Sequence, residues 1–542
     1  MADPIRNPII KGFYPDPSIC RAGDDYYIAT SSFSFFPGIP IFHSRDLVHW
    51  EQIGHVFDDP EVLRLDGDVL SGGLFAPTLR YRDGTFYCIV QNASEGRGCF
   101  EDLALLATAK DPAGPWQAQW IHGTGGDPSL FFDDDGKLYT TFSYLTVGRQ
   151  DVVDHGIYLR ELDAKTFAPV GVMGYLWDGA LKGSAYPEAS HLFKRNGWYY
   201  LMIAEGGTEY YHSVTLARSR KIDGIYEPCP HNPIMTHRHL SRLHPICNVG
   251  HADYVETPDG QCYVVLLGSR LNGGYHKNLG RETYLAPVIW ENDWPIISPE
   301  TGKIELEYPA PALPQTVFRE VPAKDDFTQD RLALQWNFIG SPVTPFYRIA
   351  DSNLYLRTIA APIHPEKPPF GGPPFGDVPP LVPKCISFVG RRQQDYYFTV
   401  TIKMHFCPID RDFAGMVVIQ DNYNQLRLEL AKEHGAALVR VVRNKQSHEG
   451  FSPDMTYEET VLGTMAMEDG DVYLQLKAAG QDFTFLAGKE KQSLKVIAAH
   501  VDASFLGLQT FVGTYIGMFA TGDGADVPNE AAFDYFTYLP EE

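Results

Sequence analysis

An all-β chain in two parts, a five-bladed β-propeller followed by a β-sandwich of jelly-roll, concanavalin-like type, is what the sequence predicts, on three observations. A hairpin phrase recurs five times in the first 310 residues, and no long amphipathic helix separates the copies. A proline-rich segment then divides this half from one of short alternating strands. With 44% hydrophobic and 21% charged residues among 542, the composition is that of folded domains. It excludes a disordered, collagen-like or disulfide-scaffold chain.

The phrase is a polar turn leading into an aromatic strand. Its copies are Asp24-Asp25-Tyr26-Tyr27, Asp83-Gly84-Thr85-Phe86-Tyr87, Asp135-Gly136-Lys137-Leu138-Tyr139, Asn196-Gly197-Trp198-Tyr199-Tyr200 and Asp259-Gly260-Gln261-Cys262-Tyr263. Asp-Gly and Asn-Gly supply the positive φ of a tight hairpin, and the aromatic residues after them suit a half-buried strand. A second phrase, clearest in His43-Ser44-Arg45-Asp46-Leu47-Val48-His49-Trp50, follows four of the copies and ends near Trp50, Trp116, Tyr226 and Trp290. The unit is thus about four strands long, longer than the ~40–45 residues of a WD repeat. Five such units predict a propeller over residues 1–310.

Residues 311–324 continue the run begun at Glu307-Tyr308-Pro309-Ala310-Pro311 and read as a linker. From Asp325 to Glu542, alternating runs such as Phe398-Thr399-Val400-Thr401-Ile402 and Ala437-Leu438-Val439-Arg440-Val441-Val442 predict antiparallel strands of the sandwich. Residues 362–383, dense in proline and glycine, predict an ordered loop or lid.

Charge narrows the partners. Lys and Arg number 45 against 68 Asp and Glu, a net charge of −23, which argues against nucleic acid and anionic membrane. The eight cysteines are scattered with no C-x-x-C pair, so they read as buried free thiols rather than a zinc or redox motif. The N-terminus lacks the apolar core of a secretory leader, so the expectation is cytoplasmic, with export left open should a leader have been removed.

In a propeller the inner strands converge on the axis, so residues at one repeat position meet. Eleven or twelve residues before the closing tyrosines stand Asp16, Phe75, Asp127, Glu188 and His251. Three carboxylates and a histidine would ring one end of the axis, where burial and like charge push pKa values apart. Glycoside hydrolysis needs such a split: one carboxyl protonated to serve the leaving oxygen, another ionised to activate water or attack carbon. Alone, Asp16 in Pro15-Asp16-Pro17-Ser18 and Asp127 in Gly126-Asp127-Pro128-Ser129 also read as turn caps; their recurrence at one position favours the catalytic reading. Asp133-Asp134-Asp135 and Asp24-Asp25 read as solvated hairpin tips. His231, His237, His239 and His244 read as exposed loop residues without metal-ligand spacing.

At these residues the sequence resembles glycoside hydrolase family 43, the β-xylosidase and α-L-arabinofuranosidase group built from a five-bladed propeller and, in one branch, a C-terminal β-sandwich. The phrases are Asn7-Pro8-Ile9-Ile10-Lys11-Gly12-Phe13-Tyr14-Pro15-Asp16-Pro17-Ser18, Tyr27-Ile28-Ala29-Thr30-Ser31-Ser32-Phe33 with Phe36-Pro37-Gly38, Ala204-Glu205-Gly206-Gly207-Thr208, Gly250-His251-Ala252-Asp253 and Gly280-Arg281-Glu282-Thr283. The resemblance implies Asp16 as general base, Glu188 as general acid and Asp127 as the carboxylate that raises and orients the acid. It implies inversion at the anomeric carbon. His251 and Arg281 would hold the axial water or ion network and the sugar hydroxyls, Phe33 and Phe75 would wall the −1 sugar, and Phe511 would close the pocket from the second domain or else be a buried strand residue. Many relatives carry tryptophan at Phe75 and aspartate at Thr78, so subsite shape is expected to differ here.

A pocket closed in this way admits a chain end, which implies exo-release of xylose from β-1,4-xylo-oligosaccharides, with arabinofuranose removal from arabinoxylan or arabinan as the alternative. The chemistry requires no organic cofactor, and the axis leaves room for a structural calcium ion near His251. Homodimers or homotetramers are common in the family. The invertase-like fructosidases would show Asn-Asp-Pro-Asn and Arg-Asp-Pro, and neither string occurs. A binding propeller without catalysis is disfavoured because Asp16, Asp127 and Glu188 are all present.

Overall fold

The computed structural model describes residues 3–65, 70–93, 102–145, 155–363, 385–421, 423–447, 456–507 and 510–541. Among them, five antiparallel sheets of four main strands each follow one another along the chain. Their inner strands are Ser18–Ala22, Leu74–Arg82, Gly126–Phe132, Glu188–Arg195 and Ile246–Glu256, and these strands pack on one another around a common axis. This is a five-bladed propeller.

The hairpins form where the turn residues ask for them. Asp83 and Gly84 (φ 49° and 74°) and Asn196 and Gly197 (φ 51° and 71°) take the paired left-handed geometry of a two-residue turn. In the first blade the turn is Gly23-Asp24, with Gly23 at φ 66° and the strand already begun at Asp25, one residue earlier than the repeat phrase suggests. Each blade is one contiguous stretch of chain. The ring meets its own beginning where Ile5–Arg6 pairs with Glu307–Tyr308, Ile10 bridges Thr283, and the Asn7 amide donates to the Leu285 and Glu305 carbonyls at 2.9 Å each.

The second half is a sandwich. A six-stranded sheet runs in the order Phe388–Arg392, Tyr515–Thr521, Phe413–Ile419, Gln425–Glu433, Ala436–Gln446, Tyr457–Ala466, and faces a larger sheet centred on Glu530–Pro540, Tyr397–Phe406 and Gly470–Ala479. Along Tyr397–Phe406 every second residue, Phe398, Val400, Ile402, Met404 and Phe406, is fully buried, which is the period-2 pattern of a one-sided core. Each contributes about 1.5–3 kcal/mol of burial. The sandwich is joined to the propeller by Phe338–Ile339 pairing with Phe35–Phe36, by Arg392 Nε donating to the Phe13 carbonyl (2.6 Å), and by Tyr515 stacked on Phe35 at 3.7 Å.

Three sequence expectations change, the first at Asp133, which is buried rather than solvated at its hairpin tip and accepts from the Tyr199 hydroxyl at 2.7 Å and Lys194 Nζ at 3.1 Å. His237 is buried rather than exposed, because its Nδ1 meets the Ile246 carbonyl at 2.8 Å while Nε2 accepts from the Ile304 amide at 2.9 Å. Cys407 is exposed and Cys385 partly so, whereas Cys20, Cys88, Cys229, Cys247 and Cys262 are buried and free; Cys99 lies outside the described residues. The proposed lid at 362–383 lies outside them too, apart from residues 362 and 363. Among the described residues, no helix is long and apolar enough to cross a membrane.

Candidate active site

The inner strands break their ladders at one common level. Register shifts fall between Phe75 and Thr78, Gly126 and Ser129, Glu188 and His191, and Gly250 and Asp253. At that level one residue per blade is left-handed: Asp16 (φ 54°), Ala76 (57°), Asp127 (48°), Ala189 (54°) and His251 (50°). Bulges of this kind re-aim a side chain, here towards the axis, and cost backbone strain that sites tend to carry.

This corrects the repeat count. The matching positions are Asp16, Ala76, Asp127, Ala189 and His251; Phe75 and Glu188 stand one residue upstream of theirs. Counting back from the tyrosines misaligns them because the third and fifth hairpins are one residue longer: Cys20 pairs with Tyr27, but Phe131 with Tyr139 and Val255 with Tyr263.

Asp16 is 4% exposed and fully engaged. Its Oδ2 accepts from the Ser31 hydroxyl (2.6 Å), its Oδ1 from Arg281 Nη1 (2.8 Å), and His251 Nδ1 lies 3.6 Å from Oδ1. Burial alone would raise its pKa, but Arg281, His251 and the Ser31 hydrogen bond outweigh burial and hold it below the usual carboxylate range. Ser31 is itself fixed by accepting from the Ala76 amide at 2.7 Å. Arg281 also donates to Thr208 Oγ1 (2.9 Å) and to the Phe511 carbonyl (3.0 Å) of the sandwich.

The other two carboxyls go the opposite way. Burial first, then the charge of Asp16, pushes Asp127 up to about 7, while the Ala189 amide hydrogen-bonded to it pulls down. Glu188 is raised well above its ordinary value by burial, then Asp127, then Asp16, with Arg281 opposing. Both keep part of their surface open at the recess. The arrangement therefore favours the ionised form of Asp16 and the protonated form of Glu188 within electrostatic reach of each other.

Burial and then Arg281 keep His251 neutral against the pull of Asp16. His212, which sequence reasoning missed, joins it: burial drives it down to about 3 and its Nδ1 meets the Asn248 carbonyl at 3.0 Å. Ser31 and Thr208 were also missed as site residues, although both lie inside the quoted family phrases.

The aromatic wall is layered. Phe33 is 2% exposed, with Phe75 at 5.4 Å, Phe511 at 6.3 Å and Phe13 at 5.5 Å between ring centroids. Phe33 therefore backs the wall, and the partly exposed Phe75 and Phe511 present its open surface. Phe511 lies outside any strand, between the short helix Ser504–Gly507 and Tyr515–Thr521. Thr78 is 2% exposed and donates to the Pro128 carbonyl at 3.1 Å, so it ties blades together rather than lining the pocket.

Among the described residues, no group of three or more His, Cys, Asp or Glu side chains is arranged to hold a metal ion. The carboxylates nearest His251 are taken up: Asp16 by Arg281 and Ser31, Asp253 by Arg80 at 2.7 Å. A calcium ion there would draw its oxygens from backbone carbonyls and water rather than from free carboxylates.

Residues 5–295 match the model of glycosyl hydrolases family 43, and residues 324–539 that of the β-xylosidase C-terminal concanavalin A-like domain. The chain is 39% identical to a xylosidase/arabinosidase of Butyrivibrio fibrisolvens, over 98% of each chain, and 37% identical to a non-reducing end α-L-arabinofuranosidase of Bacteroides ovatus, over 98% of this chain and 94% of that one. In structure it is similar to a xylan β-1,4-xylosidase of Bacillus halodurans, with a TM-score of 0.89 at 32% identity, covering 99% of this chain and 100% of the other.

Proposed function

Because the chain belongs to glycosyl hydrolase family 43, whose members hydrolyse glycosides with inversion, we propose that it releases xylose from the non-reducing ends of β-1,4-xylo-oligosaccharides. The observation that carries the mechanism is the opposed protonation of Asp16 and Glu188 around one axis. Asp16 takes a proton from water as the water oxygen bonds to the anomeric carbon. That carbon's bond to the leaving oxygen breaks, and Glu188 donates its proton there. Asp127 keeps Glu188 protonated through its charge. Arg281 holds Asp16 ionised, and beside its bond to the Phe511 carbonyl its Nη2 has a second N–H for a sugar hydroxyl.

The substrate reading is supported by relatives named for xylosides and by the partly exposed Phe75 and Phe511 rings stacked on Phe33 beside Arg281. Arabinofuranose removal is the second reading, supported by the relatives named for arabinosidase and arabinofuranosidase activity. Turnover of 4-nitrophenyl β-D-xylopyranoside, 4-nitrophenyl α-L-arabinofuranoside and xylobiose, with NMR of the first-formed anomer, separates the two. The expected result is xylobiose cleavage giving α-xylose first. Inert xylobiose with arabinofuranoside turnover would make this a debranching enzyme, and β-xylose first would overturn the mechanism.

The pH profile has a defined sign. Asp16, with its lowered pKa, is lost as base only when pH falls below the ordinary carboxylate range. Glu188, with its raised pKa, is lost as acid as pH rises through that raised value. The kcat/KM curve should therefore be a bell whose acid limb lies below, and whose alkaline limb lies above, the ordinary carboxylate range. Asp127→Asn removes the charge that raises Glu188, so its alkaline limb should move to lower pH, with kcat down about 10- to 100-fold. An unmoved limb would detach Asp127 from the acid.

A further inference from the structure

One guanidinium reaches all five blades. Arg80 lies on Leu74–Arg82, the inner strand of the second blade. Its Nη1 donates to Ser18 Oγ of the first blade (3.1 Å) and Asp253 Oδ2 of the fifth (2.7 Å). Its Nη2 donates to His191 Nδ1 of the fourth (3.0 Å) and Asp253 Oδ1 (3.3 Å), and its Nε to the Leu130 carbonyl of the third (3.3 Å). Two further contacts brace the set: Ser18 Oγ donates to Asp253 Oδ2 at 2.7 Å, and Ser129 Oγ lies 3.1 Å from His191 Nδ1.

The partners stand in a fixed relation to the catalytic level. Ser18 is two residues past Asp16, Leu130 three past Asp127, His191 three past Glu188 and Asp253 two past His251. The guanidinium thus sits one step along the axis from the carboxyls and touches every strand that carries one. The carboxyls lie on separate blades, and each hydrogen-bonded ladder is internal to its own blade. Nothing in a blade's ladder therefore sets the distance between base and acid. A planar group with five donors in a rigid fork can set it. Stability alone is a poor reason for such a group, since a buried Arg–Asp pair offsets much of its attraction by desolvation.

We propose that Arg80 is a positioning residue of the hydrolysis, fixing the inner strands so that Asp16 and Glu188 face the anomeric carbon at the separation an inverting displacement needs. The inference rests on the roles given to Asp16 and Glu188 above. A shift of about 1 Å in such a pair costs on the order of 100-fold in rate.

The test is steady-state kinetics on xylobiose with Arg80→Gln, Arg80→Lys and Asp253→Asn, alongside thermal unfolding. Arg82→Gln, on the same strand and paired with exposed Asp83, is the control and should match the parent. The expected result is a kcat loss of about 100-fold in Arg80→Gln with KM within about twofold, and partial recovery in Arg80→Lys, whose single ammonium satisfies only some of the partners. If Arg80→Gln does not fold, Asp253→Asn decides, with a kcat-selective loss expected. A folded Arg80 or Asp253 variant with parental kcat, or with a loss confined to Tm or KM, would overturn the proposal. Glu188→Ala in the same series separates the two levels: if it keeps xylobiose turnover, the acid assignment fails, whatever Arg80 does.

Discussion

Asp16→Ala is expected to abolish turnover of xylobiose and 4-nitrophenyl β-D-xylopyranoside alike, with kcat reduced by about 10³- to 10⁴-fold on each. The two substrates differ only in how much help the leaving group needs, and Asp16 acts on the other side of the anomeric carbon, on water. Its loss should therefore be indifferent to the leaving group. The folded state should survive, because Asp16 makes its contacts with groups that have other partners: Ser31 also accepts from the Ala76 amide, and Arg281 also donates to Thr208 and Phe511. Residual activity that differed strongly between the substrates, or a variant within tenfold of the parent, would remove Asp16 from the role of base.

Glu188→Ala should behave in the opposite way, losing about 10³- to 10⁴-fold on xylobiose but only about 10- to 100-fold on the nitrophenyl glycoside. Nitrophenolate departs with little protonation, so the missing proton is felt chiefly by the natural sugar alkoxide. The alkaline limb of the parent profile should also vanish from the residual aryl-glycoside activity, because the group that titrates there is gone. Equal losses on both substrates, or a retained alkaline limb, would place the acid elsewhere. The raised pKa of Glu188 comes first from burial and then from Asp127 and Asp16.

The propeller was legible because its signal is local. Asp83-Gly84 and Asn196-Gly197 specify left-handed turns by their own covalent structure, and the repeat of turn and aromatic strand needs no tertiary information. Asp16 and Asp127 were legible for the same reason, each set beside a proline at a repeat position. What escaped was register and long-range pairing. The one-residue difference among the hairpins hid the fact that Ala189, not Glu188, matches Asp127. Ser31, which bonds Asp16, and His212, within its electrostatic reach, lie outside any strand with no pattern of their own, and Arg80 looks like any strand arginine until five blades are assembled around it. His237 was misread because a histidine in a loop sequence gives no hint of the Ile304 amide that buries it.

The ring has a seam, and Asp16 and Arg281, the base and sugar-binding arginine of the proposed mechanism, face each other across it. Among the described residues no blade borrows a strand from the other end of the propeller, and the ends of the ring meet through the short pairing of Ile5–Arg6 with Glu307–Tyr308, the Ile10–Thr283 bridge, side-chain bonds and the pair Asp16–Arg281. The base stands on one lip and the arginine on the other, and the sandwich grips that arginine through the Phe511 carbonyl. On the proposed mechanism, a sugar lodged between them would be a rivet across the join. Whatever free energy it gains there also holds the ring shut, and by linkage anything that loosens the seam weakens the hold on the sugar to the same extent.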